Sequence, residues 1–223
     1  GLVFSVWLGS LFMGFQQAEL AAHEKQPSKR LAYLDGAQKW LPYMEQYDAL
    51  MAATAMDLLK QENPAGMTEK DHNILINYAL SKVDSALTKN PLRSLSYRNK
   101  AELLETRAKT AEQIQQVIEA YQQTLKYNPY DLDARYRLVE LLEREEREVE
   151  AYRLLFAGLD KAYFADLKTG MGFMLKIKQV LEGAAITDEQ VELLNNQMEQ
   201  LVVRMMRYKN GQFVLHGLGI EGE

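Results

Sequence analysis

Two stretches, A-L-S-K-V-D-S-A-L-T-K-N-P (Ala79–Pro91) and V-I-E-A-Y-Q-Q-T-L-K-Y-N-P (Val117–Pro129), end on the same Asn-Pro stop and match in kind upstream of it. Ala79, Val83, Ala86 and Leu87 fall opposite Val117, Tyr121, Thr124 and Leu125. A further step of roughly 34 residues brings Ala151, Leu155, Gly158 and Leu159 to the same four positions. Self-similarity at such a period decides architecture before local propensity does. Ala79 and Ala86 are about two helical turns apart on one face, where small side chains let a neighbouring helix approach. Proline then stops the helix, because it lacks an N–H and restricts the residue before it.

Each such helix needs a partner. For the last unit that partner is a helix from Asp131 to about Arg144, with Tyr136, Leu138, Leu141 and Leu142 as its apolar stripe. The spacing resembles a tetratricopeptide repeat (TPR), a pair of antiparallel helices that stacks on its neighbours into a solenoid. Arg135 stands where that family prefers Trp, and Val139 where it prefers Gly or Ala. The longer spacing between Pro91 and Pro129 places an insertion around Arg107 to Ala111. The predicted fold is therefore all-α: a TPR-like antiparallel helix-hairpin solenoid with an apolar N-terminal helix and a long C-terminal helix.

Outward from this centre, R-L-A-Y-L-D-G-A-Q-K-W-L-P, with Ala37 five before Pro42, is a degenerate first unit, and Ser28 is expected to cap its helix. A helix from about Glu45 to Gln61, rich in Ala and Met, follows. Thr68 with Asp71, and Thr110 with Gln113, are capping-box starts for helices running to Lys89 and Tyr127. Asn63 to Gly66 is a loop. Beyond the repeats, a helix from about Leu167 to Glu182 and a longer one from Thr187 to about Lys209 are expected, then a tail from Gly211. Three regions result: 1–26, an apolar helix; 27–165, the repeats; and 166–223, C-terminal helices and tail.

Residues 1–15 carry no charge. A full membrane span needs about 20 apolar residues, so three readings stay open: the end of a transmembrane helix, a buried core helix, or a signal peptide. A chain opening on Gly1 reads as a processed product or a fragment. The net charge of −5 gives no basic excess, which argues against nucleic acid as partner. Cysteine is absent, which excludes disulfides, thiolate metal sites and cysteine nucleophiles.

Little in the chain signals chemistry. His23, His72 and His216 lack metal-ligand spacing, and no phosphate loop, dinucleotide fingerprint or nucleophile elbow occurs. No cofactor, metal site or catalytic residue is expected, and the chain alone is read as not an enzyme. The run Glu140 to Glu150 alternates sign as a solvated face does. The tyrosines are numerous; helix packing accounts for most, while Tyr97, Tyr127, Tyr130, Arg135 and Tyr136 are the candidate residues of a binding groove.

The order of parts carries a second resemblance. An apolar helix leads into R-L-A-Y-L-D-G-A-Q-K-W-L-P, then A-L-T-K-N-P-L-R-S-L-S-Y-R-N-K-A-E-L-L, then T-L-K-Y-N-P-Y-D-L-D-A-R-Y-R-L-V-E-L-L. Over residues 1–165 this resembles the periplasmic C-terminal region of the O-antigen ligase and polymerase family, which includes pilin-glycosylating oligosaccharyltransferases. The resemblance implies a docking domain for a protein or glycan acceptor at the periplasmic face of the inner membrane, tethered through the N-terminal helix, with catalysis lying elsewhere. The alternative is a free-standing TPR-like scaffold, cytoplasmic, that binds a peptide or partner helix on its concave face; a helical enzyme is the third reading. Oligomeric state stays open.

Overall fold

A computed structural model describes residues 2–60 and 67–158, together with Lys161, Gly172, Phe173, Leu175, Glu192, Asn195, Asn196 and Glu199. The described elements are all helices: α1 (Leu2–His23), α2 (Pro27–Trp40), α3 (Glu45–Lys60), α4 (Glu69–Lys89), α5 (Ser94–Glu105), α6 (Ala111–Tyr127), α7 (Leu132–Arg144) and α8 (Glu148–Phe156). The expected loop at Asn63 to Gly66, the two C-terminal helices and the tail lie outside the described residues. The chain divides into two compact units, Gly1–Asn128 and Pro129–Glu223.

In the first unit each helix packs on the next in sequence, so α1–α2, α3–α4 and α5–α6 form antiparallel hairpins laid side by side. The repeat positions read from sequence are the contact points. Ala79, Val83 and Ala86 on α4, and Val117, Tyr121 and Thr124 on α6, are all buried. One core joins α3, α4 and α5 through Ala52, Ala55, Met56, Ile76, Leu80 and Leu103. A second joins α1, α2 and α3 through Ala21, Leu34, Ala37, Tyr47 and Met51. In the second unit α7 and α8 pair through Leu138, Leu142, Ala151 and Leu155.

The helix ends follow local chemistry. Thr68 Oγ1 accepts from the Asp71 N–H at 3.2 Å while the Asp71 carboxylate accepts from the Thr68 N–H at 3.0 Å. Thr110 and Gln113 repeat this capping box at the start of α6. The Asp131 carboxylate caps α7 by accepting from the Ala134 N–H at 3.0 Å. Ser28 does not cap α2. Pro27 occupies the first turn and Gln26 the cap position, because a proline N1 needs no N–H partner. The insertion expected around Arg107 to Ala111 falls in the α5–α6 turn, inside one hairpin.

A buried carboxylate fixes how three of these helices meet. Asp48 on α3 is fully buried. It accepts from Lys89 Nζ at 2.6 Å and from Ser85 Oγ at 3.0 Å, both on α4, and from the Gln38 amide on α2. Lys82 Nζ lies 3.8 Å from it and donates to Gln38 Oε1 at 2.6 Å. A buried charge is tolerated only when paired and hydrogen-bonded in this way. Just above it Glu45 takes Arg93 at 2.8 Å, joining the start of α3 to the cap of α5. Burial pushes the Glu45 carboxyl up, but hydrogen bonds from Asn90 and Arg93 outweigh it and hold the group below its ordinary value.

Candidate functional site

The five residues singled out from sequence divide between the two units. In the first, Tyr97 on α5 and Tyr127 at the end of α6 stack with ring centroids 5.6 Å apart and planes 20° off parallel. Lys126 Nζ sits 5.3 Å from the Tyr127 ring centre. Both tyrosines are half-buried, and each covers a face of the other, so the pair closes the open end of the α5–α6 hairpin.

In the second unit Tyr130 is exposed, with Lys161 Nζ 5.5 Å from its ring centre. Arg135 is buried, and its guanidinium is used internally. Nη1 donates to the Leu154 carbonyl at 3.0 Å and Nη2 to the Pro129 carbonyl at 2.9 Å, which ties α7 to the last turn of α8. Desolvation lowers its pKa from the ordinary arginine value. Gly158 makes this possible: a Cβ there would stand 2.5 Å from Arg135 Cδ and 2.5 Å from Phe173 Cζ. Arg135 thus fills, with its aliphatic stem, the place where a TPR prefers a bulky aromatic.

Tyr136 has different company. Tyr136, Glu140 and Glu143, at i, i+4 and i+7, share one side of α7. Burial raises the Tyr136 pKa first, followed by its hydrogen bond to Glu140 and the charges of Glu140 and Glu143. Burial likewise raises the Glu143 carboxyl, and the Glu140 and Glu148 charges add to it. Arg137 approaches Glu140 at 3.5 Å, while Arg147 is taken by Glu150 at 2.7 Å. The outcome is a stripe of one phenol and carboxylates that repel each other. A stripe of this kind suits a cationic partner. Sequence reasoning placed Glu140 and Glu143 in a solvated charge run. Their spacing from Tyr136 was the missed signal.

Among the described residues no group of three His, Cys, Asp or Glu side chains is placed to hold a metal. The hairpins, their order and their small-residue contacts define a TPR-like helical-repeat protein. No family model matches the chain. A search of curated proteins gives no match either. Among solved structures the chain is similar to TPR proteins. A crystal structure of MamA is 13% identical over 70% of this chain and 77% of that one, with a TM-score of 0.50. A MamA RS-1 double mutant is 14% identical over 71% and 76%, also with a TM-score of 0.50. A thermophilic TPR protein of Thermus thermophilus is 15% identical over 75% and 96%, with a TM-score of 0.46. At these identities the likeness is one of fold.

The resemblance to the O-antigen ligase and polymerase family is overturned by these comparisons. The motifs that carried it were small residues at helix contacts followed by Asn-Pro stops. Those are what stacked helix hairpins require of any sequence, so they report the fold rather than the ligase family. The reading of a glycan acceptor as partner loses its support with it.

Proposed function

We propose that this chain is a TPR-like scaffold whose task is to hold a protein partner, a peptide or helix bearing lysine or arginine, along the α7 stripe of Tyr136, Glu140 and Glu143. The observation that supports this most is that Tyr136, Glu140 and Glu143, all half-buried, share one side of α7. Carboxylates held near one another at some cost gain most when a cation arrives to neutralise them. Stacked helix hairpins commonly present such faces to peptides and helices. The proposal assigns no reaction to the chain.

Fluorescence anisotropy with labelled 15-residue peptides, matched in length and hydrophobicity but rich in either lysine or glutamate, tests the reading. The lysine-rich peptides bind, their affinity falls as salt rises, and Glu140→Gln with Glu143→Gln weakens them roughly tenfold or more. Equal binding of the acidic set, or no effect of the double substitution, would remove the α7 stripe as the site.

A further inference from the structure

The N-terminal helix outruns its partner. A Cβ added at Gly14 of α1 would lie 3.3 Å from Trp40 Cβ and 2.5 Å from Leu41 Cδ1, and one added at Gly36 of α2 would lie 3.1 Å from Gln17 Oε1. These contacts fix an antiparallel register in which α2 ends beside Gly14. Residues 2–13 of α1 therefore run on past the end of α2, about 18 Å of helix at 1.5 Å per residue. That stretch contains no ionisable side chain, and the first charge along the chain is Glu19. It is apolar all round rather than along one stripe. A helix that docks on a protein face needs only the stripe, whereas one apolar on every side matches an apolar solvent.

The side chains at the level where α2 stops agree with this. Phe12 is 68% exposed and Phe15 53%, and across from them Trp40 and Tyr43, at and just past the end of α2, are 46% and 92% exposed. Aromatic residues with a polar edge collect at the boundary between lipid and water. Beyond that level α1 becomes polar, with Gln16, Gln17, Glu19 and His23. Among the described residues no helix is long and apolar enough to cross a membrane. We infer that the projecting half of α1 inserts into the hydrocarbon core of a phospholipid bilayer, with Trp40 and Tyr43 seated at the headgroup level and the hairpins held on the aqueous side.

Trp7 and Trp40 are the only tryptophans, one on the projecting helix and one at its exit, so they report depth directly. The full chain is mixed with vesicles of phosphatidylcholine and phosphatidylglycerol and floated through a density gradient. The wild type rises with the lipid, and Phe12→Lys with Phe15→Lys lowers the partition roughly tenfold or more, with circular dichroism checking that its helices persist. With brominated lipids, a Trp40→Phe chain, reporting from Trp7, is quenched best by bromines deep in the acyl chains. A Trp7→Phe chain, reporting from Trp40, is quenched best by bromines near the headgroups. No flotation, flotation unaffected by the lysines, or equal depth for the two tryptophans overturns the inference. So does a dimer in sedimentation equilibrium that the lysines abolish while vesicles bind nothing, since a second copy would then cover the helix.

Discussion

Single residues carry strain and charge that the fold tolerates, and each makes a measurable expectation. Glu146, in the α7–α8 turn, has φ 57, in the left-handed region. Its N–H donates to the Glu143 carbonyl at 3.1 Å and the Arg147 N–H to the Leu142 carbonyl at 2.8 Å, the two bonds of a Schellman cap. Glycine is the preferred occupant of that position, so Glu146→Gly should stabilise the second unit by on the order of 1 kcal/mol in chemical denaturation. Gly158→Ala should do the reverse and cost about 1–3 kcal/mol, because Arg135 and Phe173 already occupy the space of a methyl group. Glu143 gives a pH dependence. Its folded pKa is raised, so the folded unit holds the proton more tightly than the unfolded chain does. Stability therefore declines as pH rises from the ordinary glutamate value through the raised one, and Glu143→Gln should flatten that decline in thermal melts recorded across the range. The spacing of Glu143 from Tyr136 and Glu140 stood in the sequence, whereas the role of Arg135 did not. The sequence shows a charge at position 135, but whether its long side chain turns inward is decided by the Leu154 carbonyl on another helix.

At the scale of the helix the sequence said far more. Capping boxes use residues three apart, so Thr68 with Asp71 and Thr110 with Gln113 could be read directly and are present. The small positions before each Asn-Pro stop could be read too, because the period of a repeat is itself a record of packing. Ala86 is fully buried on α4, and Ala151 on α8. Ala86→Leu and Ala151→Leu should each cost about 1–3 kcal/mol through overpacking, checked by denaturant titration. Asp48 was not legible at all, since its partners Ser85 and Lys89 stand 37 and 41 residues away in sequence. Within α3 it is one acid in an Ala- and Met-rich run. Replacing it with Ala would leave two lysines without their counter-charge at the meeting of α2, α3 and α4. The expected cost is about 3 kcal/mol, at the low end for a broken buried pair because both lysines keep some solvent contact.

Across the first unit the consequence is a chain of nearest-neighbour contacts. Each helix leans on the next, and polar links join the hairpins: Gln38 to Asp48 and Lys82, Arg30 to Asp57 at 3.8 Å, Glu45 to Arg93, Lys60 to Glu102 at 3.1 Å and Lys100 to Asp84 at 2.8 Å. In such an array stability is close to a sum of local and interface contributions, so damage at one interface is felt mainly by the elements that share it. Asp48→Ala therefore should not melt the unit as a whole. Under native conditions hydrogen exchange should accelerate most in α2, α3 and the second half of α4, by a factor near the exponential of the lost free energy, on the order of 100-fold for about 3 kcal/mol. Amides of α6, which packs mainly on α5, should change far less. If the α6 amides instead accelerate equally, the three hairpins unfold as one cooperative block, and the buried carboxylate holds the entire unit rather than a single junction within it.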